Sequence, residues 1–158
     1  MTLRPVPEEG GSDPKPESAA SILYVEDEEL NWRVTERYLR AGYTLTWARD
    51  ARDAFSILST QRFDLILMDI QLSGSDLDGI QIARVLKGTN LSRPPHYAVP
   101  IPDADKIPIV FVTAYGSRYT KNSLLLVGGA DVIYKPVSFI ALNACLARLT
   151  QREARRKQ

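Results

Sequence analysis

From Ser21 onward, short apolar runs alternate with segments whose apolar residues recur at helical spacing, a pattern that predicts parallel strands joined by crossover helices. Ile22-Leu23-Tyr24-Val25 reads as a first buried strand, and Leu30, Val34 and Tyr38 recur every four residues behind it as the stripe of a helix ending near Gly42. Tyr43 to Trp47 predicts a second strand, and Ala51, Ala54, Phe55 and Leu58 predict a second helical stripe. The uninterrupted Leu65-Ile66-Leu67-Met68 is a third strand that breaks at Asp69, and a third helix follows Gly79. Ile107 to Val112 supplies a fourth strand, with Pro108 near its start because proline cannot donate to a ladder. Leu124 to Val127 fall on a fourth helix ended by Gly128-Gly129, and Val132-Ile133-Tyr134 form a fifth strand. Phe139, Leu142, Leu146 and Leu149 make the core stripe of a closing helix capped by Ser138. The expected class is α/β: a doubly wound, five-stranded parallel sheet with helices on both faces.

Two stretches stand outside this pattern. Residues 88 to 106 contain Pro94, Pro95, Pro100 and Pro102, too many prolines for regular structure in a connection longer than most, and read as an extended loop. Residues 1 to 20, with Pro5, Pro7, Pro14 and Pro16 among Glu, Gly and Ser, offer little apolar surface to offset ordering and read as a disordered lead. That leaves one domain over 21–150 and a basic tail over 151–158.

Composition narrows the class. With 158 residues, 44% hydrophobic and 25% charged, the chain fits a single soluble domain. A chain of this size removes about 68–70% of its unfolded surface from water, enough for a core without metal or disulfide staples. Cys145 is the only cysteine and reads as inert core, while the absence of a leading apolar run points to a cytoplasmic protein without membrane contact. The net charge of +1 combines −2 over residues 1–20 with +4 over 148–158, leaving no broad basic field for nucleic acid. The basic end is the solvated last turn of the closing helix. His96 has no second His or Cys nearby, so it reads as a loop residue rather than a zinc ligand.

Polar residues follow four of the apolar runs at the same point: Glu26 and Asp27, Asp69, Thr113, and Lys135. In an open parallel sheet these are the carboxyl ends of strands, where ligands bind, so residues distant in sequence are expected to meet. Each of these residues has a plainer reading as a cap, a turn residue or an exposed lysine, and it is their joint placement that points to a site. Three carboxylates in one place repel by about 4 kcal/mol per close pair at an effective dielectric near 20. Lys135 offsets part of that, and a hard divalent cation such as Mg²⁺ suits the remainder. A carboxylate in such surroundings can accept a phosphoryl group.

These residues resemble the receiver domains of two-component response regulators. The resemblance covers about residues 20–150 and rests on Val25-Glu26-Asp27, Leu67-Met68-Asp69, Asp78-Gly79, Val112-Thr113-Ala114 and Tyr134-Lys135-Pro136 in that order. It implies the flavodoxin-like strand order 2-1-3-4-5 and Asp69 as phosphoacceptor. It further implies Mg²⁺ held by Asp27, Asp69, the backbone carbonyl of Gln71 and, through water, Glu26, with Thr113 and Lys135 reading the phosphoryl group. Gln71 and Tyr115 fall where the family tunes the lifetime of the aspartyl phosphate, and the Lys135-Pro136 bond is expected to be cis. The implied partners are a histidine kinase or histidine phosphotransfer protein, and a downstream protein on the face formed by the fourth helix, fifth strand and fifth helix. The expected protein is a stand-alone receiver, a monomer or weak dimer, without turnover enzyme activity.

Three departures from the family pattern stand out. Ser73 occupies the place of an expected proline, and Leu72 to Leu77 contains extra residues. Val132 occupies the position of the switch aromatic, three residues before the lysine, and strand alternation is taken to point Tyr134 to the opposite face. These departures motivate an alternative, a phosphorylation-independent adaptor. A phosphatase with an Asp nucleophile generally needs a second acid two residues later, and that position is Gln71.

Overall fold

The structure, a computed structural model, describes residues 19–114 and 118–156, with side chains through residue 151. The chain runs β1 (Ala20–Val25), α1 (Glu29–Leu39), β2 (Tyr43–Ala48), α2 (Ala51–Leu58), β3 (Leu65–Asp69), α3 (Gly79–Leu86), β4 (Ile109–Ala114), α4 (Lys121–Leu126), β5 (Gly129–Lys135) and α5 (Phe139–Arg156). All strand pairs are parallel, in the order β2-β1-β3-β4-β5. The fold class and strand order expected from the sequence are those found. Of the lead, residues 1–18 lie outside the described residues, and α5 carries helical backbone into the stretch read as a basic tail.

Period-two alternation divides the strand side chains between two cores. Leu23, Val25, Ile66, Met68, Ile109 and Phe111 pack with residues of α2, α3 and α4. Ile22, Tyr24, Leu65, Leu67, Val110 and Val112 pack with Leu39 of α1 and with Leu142, Leu146 and Leu149 of α5. β3 lies between β1 and β4 with every residue buried, so its run needs no polar alternation.

Two expectations are corrected. Leu30, Val34 and Tyr38 are exposed rather than core, at 71%, 39% and 60%. α1 instead turns Thr35 and Leu39 inward, with Trp32 partly buried against the same core, and this rotation also brings Asn31 to Glu26 at the carboxyl end of β1. Second, Tyr134 does not point away from the Val132 face. The two are two residues apart, side chains at that spacing share a face, and both pack against the α2–α4 core while Ile133 joins the other.

Local chemistry sets the helix starts. Asp50, Asp78 and Thr120 cap α2, α3 and α4 with side-chain oxygens, and Asp78 forms a reciprocal capping box with Gln81. At Gly79 a Cβ would overlap the backbone carbonyl of Asp69, so only glycine lets α3 begin this close to the end of β3. The long loop after α3 is mostly irregular and ends in a 3-10 turn at Ala104–Lys106. Lys87 Nζ closes it by donating to the carbonyls of Asp105 and Ile107, each at 2.8 Å. β4 begins at Ile109, and the carbonyl of Pro108 accepts from the Ile66 amide at 3.0 Å. Cys145 is buried, and burial followed by the charge of Asp131 pushes its thiol up to about 11, which keeps it protonated and unreactive.

Candidate acidic site at the carboxyl ends of the strands

The chain leaves β1 into Glu26 and Asp27, β3 ends on Asp69, and β5 ends on Lys135, so the sheet itself brings these side chains together. One carboxylate oxygen from each of Glu26, Asp27 and Asp69 lies within 4.8 Å of the others. Glu26 is fully buried: Oε1 accepts from Asn31 Nδ2 at 2.8 Å, Oε2 accepts from the Tyr24 hydroxyl at 3.3 Å, and Lys135 Nζ stands 3.6 Å from Oε2. Its backbone carbonyl accepts from Trp47 Nε1 at 2.7 Å. Trp47 in turn stacks on Trp32, centroids 5.5 Å apart, and lies under the Arg49 guanidinium. Asp27 is half-buried, and its Oδ2 accepts from the Ser73 amide at 3.1 Å.

Asp69 is 4% exposed, and its Oδ2 accepts from Lys135 Nζ at 3.1 Å. Burial, then the hydrogen bond and charge of Glu26, push its carboxyl from the usual 3.8 up to about 7, against the opposing pull of Lys135. Burial alone would lower the Lys135 ammonium, but the Asp69 and Glu26 carboxylates reverse this and raise it. One lysine therefore does not balance the acidic cluster. Clustered carboxylate oxygens short of positive charge are the donor set a hard divalent cation takes, and Mg²⁺ fits them.

Thr113 is buried on β4, one residue past the register partner of Asp69, and pairs in register with Tyr134. Gln71 is exposed on the loop leaving β3. The Lys135-Pro136 bond is cis. Tyr115 lies outside the described residues. Four participants escaped sequence reasoning. Asn31 and Tyr24 were within reach of it, since Asn31 lies in the first turn of α1 and Tyr24 two positions before Glu26. Trp47 and Ser73 meet the acidic pair from other segments, with no local signal.

Residues 22–147 match the family described as Response regulator receiver domain. The chain belongs to this family. As a receiver it is 31% identical over 134 residues to Response regulator PleD of Caulobacter vibrioides, an alignment covering 84% of this chain and 26% of that protein. It is 30% identical over 128 residues to Transcriptional regulatory protein ZraR of Escherichia coli K12, covering 80% of this chain and 25% of that one. The chain thus spans about a quarter of the length of these relatives. Among solved structures, the receiver domain of sensor histidine kinase PA1611 from Pseudomonas aeruginosa superposes with a TM-score of 0.68 at 29% identity, covering 85% of this receiver and 99% of that domain. That structure has a magnesium ion coordinated in its active site cleft. The receiver domain of a histidine kinase from Syntrophus aciditrophicus gives 0.69 at 29% identity, covering 84% and 91%. Among the described residues, no helix is long and apolar enough to cross a membrane.

Proposed function

We propose that this receiver accepts a phosphoryl group on Asp69 from a phosphohistidine of a histidine kinase or histidine phosphotransfer protein, and signals through protein contacts in the cytoplasm rather than by turnover. The observation that carries this reading is the placement of a nearly buried Asp69 between Lys135 and the Glu26–Asp27 pair. A P–O bond forms to Asp69 as the donor's P–N bond breaks. Lys135 Nζ already holds Oδ2 of Asp69, which orients the other carboxylate oxygen for attack and leaves the ammonium beside the incoming negative charge. The Thr113 hydroxyl, buried alongside, is the donor for a phosphoryl oxygen. Asp27, Asp69 and the backbone carbonyl of Gln71 would hold Mg²⁺, with Glu26 acting through water; the ion would neutralise charge on the transferring oxygens. Phosphorylation puts a phosphoryl group of about −1.5 to −2 charge at the end of β3 in place of the carboxylate's single charge, and the face of α4, β5 and α5, where Leu125 and Leu126 are exposed, carries the output.

The exposed Leu30, Val34 and Tyr38 support a docking place for the donor. They run along α1 away from the acidic site, and Ile140 at the start of α5 is 86% exposed beside the stacked Tyr38–Phe139 pair. Incubation with Mg²⁺ and acetyl phosphate tests the acceptor role. A one-phosphate mass gain in the native chain that is lost in Asp69→Asn is expected; no gain in the native chain refutes the reading and favours the adaptor.

A further inference from the structure

Two long loops, residues 70–78 and 87–108, are joined by a hydrogen bond. The Tyr97 hydroxyl donates to Asp76 Oδ2 at 3.2 Å. Tyr97 is not free to wander, because α2 grips its ring: Phe55 lies 6.0 Å away in a tilted contact and the Arg52 guanidinium sits 4.9 Å from the ring centroid. The backbone around it is turned tightly, with Ala98 N donating to the Pro95 carbonyl and Val99 N to the Tyr97 carbonyl, and Ala98 itself is buried. Prolines on either side restrict the conformations the segment must give up on ordering. Burial pushes the phenol up to about 12, with Asp76 adding to it, so it remains a donor at neutral pH.

Asp76 belongs to the segment that links Asp69 to α3, and that segment is held at three successive points. Ser73 N donates to Asp27 Oδ2 at 3.1 Å, Ser75 Oγ accepts from the Ala51 amide at 3.0 Å while donating to the Leu77 carbonyl, and Asp76 accepts from Tyr97. The first of these fixes one of the three carboxylates of the acidic site. We infer that Tyr97 is a positioning residue for the phosphoacceptor site: through Asp76 it holds the loop after β3 against Asp27, so that the long connection after α3 tunes how well the acidic cluster takes a divalent cation. The inference rests on the acceptor reading above and deepens it. The burial of Ala98 and Ala104, with Leu91 and Ile101 packed on the same core, offsets the entropy of ordering this connection and holds Tyr97 in place.

The test compares Tyr97→Phe, Asp76→Ala, Asp76→Asn and Val99→Ala with the native chain. Asp76→Asn keeps an acceptor oxygen, and both Asp76 variants lose the same charge, so their difference isolates the hydrogen bond. Val99 is an exposed residue of the same loop and controls for general disturbance. Two quantities are read: the Mg²⁺ dissociation constant, followed by the fluorescence of the stacked Trp32–Trp47 pair beside Glu26, and hydrogen exchange of the Ser73 amide in the metal-free protein. Tyr97→Phe and Asp76→Ala are expected to weaken Mg²⁺ binding about three- to tenfold, the scale of one hydrogen bond, and to speed Ser73 exchange. Asp76→Asn and Val99→Ala are expected to stay within about twofold of native, and the Tyr97→Phe/Asp76→Ala pair to be no worse than either alone. Unchanged Mg²⁺ affinity and Ser73 exchange in Tyr97→Phe, or equal damage from Asp76→Asn and Asp76→Ala, would overturn the inference. Failure of the native chain to take up a phosphoryl group refutes the acceptor reading instead, and the metal-free exchange result separates the two.

Discussion

Replacing Asp69 with Asn should stabilise the metal-free protein, and the gain should depend on pH in a defined way. Asp69 is nearly buried, and burial together with Glu26 lifts its carboxyl from 3.8 to about 7 in the folded state. Below pH 4 the carboxyl is protonated in folded and unfolded chains alike, so ionisation costs the fold nothing. Between pH 4 and 7 the unfolded chain releases this proton while the folded chain keeps it, and stability falls as pH rises. Each pH unit in that interval is worth about 1.4 kcal/mol, so above pH 7 the ionised group costs the fold about 4 kcal/mol. Asn resembles the protonated form in size and charge and does not titrate. Water entering the metal-free site screens part of the penalty, which puts the expected gain of Asp69→Asn at pH 8 between about 2 and 4 kcal/mol, and near zero at pH 4. Urea unfolding of both proteins in EDTA across pH 4 to 8 measures it. Parallel stability profiles, or a variant less stable at pH 8, would refute the claim that Asp69 is held in an electrostatically crowded site.

Removing or adding metal supplies a second check: Mg²⁺ at a hundredfold excess over its dissociation constant should stabilise the native chain by about 2.7 kcal/mol, and Asp27→Asn should erase most of that shift in a thermal melt. Gly79→Ala places a methyl group against the Asp69 carbonyl and should cost about 1–3 kcal/mol, read by urea unfolding; a neutral result would mean that α3 can move away from β3 freely. Leu30→Ser should leave stability within about 0.5 kcal/mol, because its side chain is exposed, and Tyr38→Ser should cost about 0.5–1.5 kcal/mol by removing the stack on Phe139, yet both should slow phosphotransfer from a phosphohistidine donor while leaving phosphorylation by acetyl phosphate intact. Equal slowing with both donors would remove α1 from the docking surface.

How much of this could be read in advance follows from how local each signal is. β3 was legible because a strand covered on both faces must be apolar throughout, and its abrupt end at Asp69 marked the site without any tertiary knowledge. Glu26, Asp27, Thr113 and Lys135 were legible for the same reason: parallel topology fixes which end of each strand faces the crevice. The stripe of α1 misled because its apolar residues form two strips, and helical spacing alone does not choose between Leu30, Val34 and Tyr38 and the inward Trp32 and Leu39, whose rotation also carries Asn31 to Glu26. Tyr134 was misplaced by a count of one residue in a structure whose side chains alternate every residue, the distance over which strand reasoning reverses its answer. The meeting of Tyr97 with Asp76 had no signature at all, since both residues sit in irregular segments where neither period applies. Strand ends can therefore be assigned chemistry from sequence in a parallel α/β protein, whereas the loops that adjust that chemistry need coordinates. The hydrogen bonds of Ser73 to Asp27 and of Tyr97 to Asp76 are contacts of this second kind, made between irregular segments far apart in the chain.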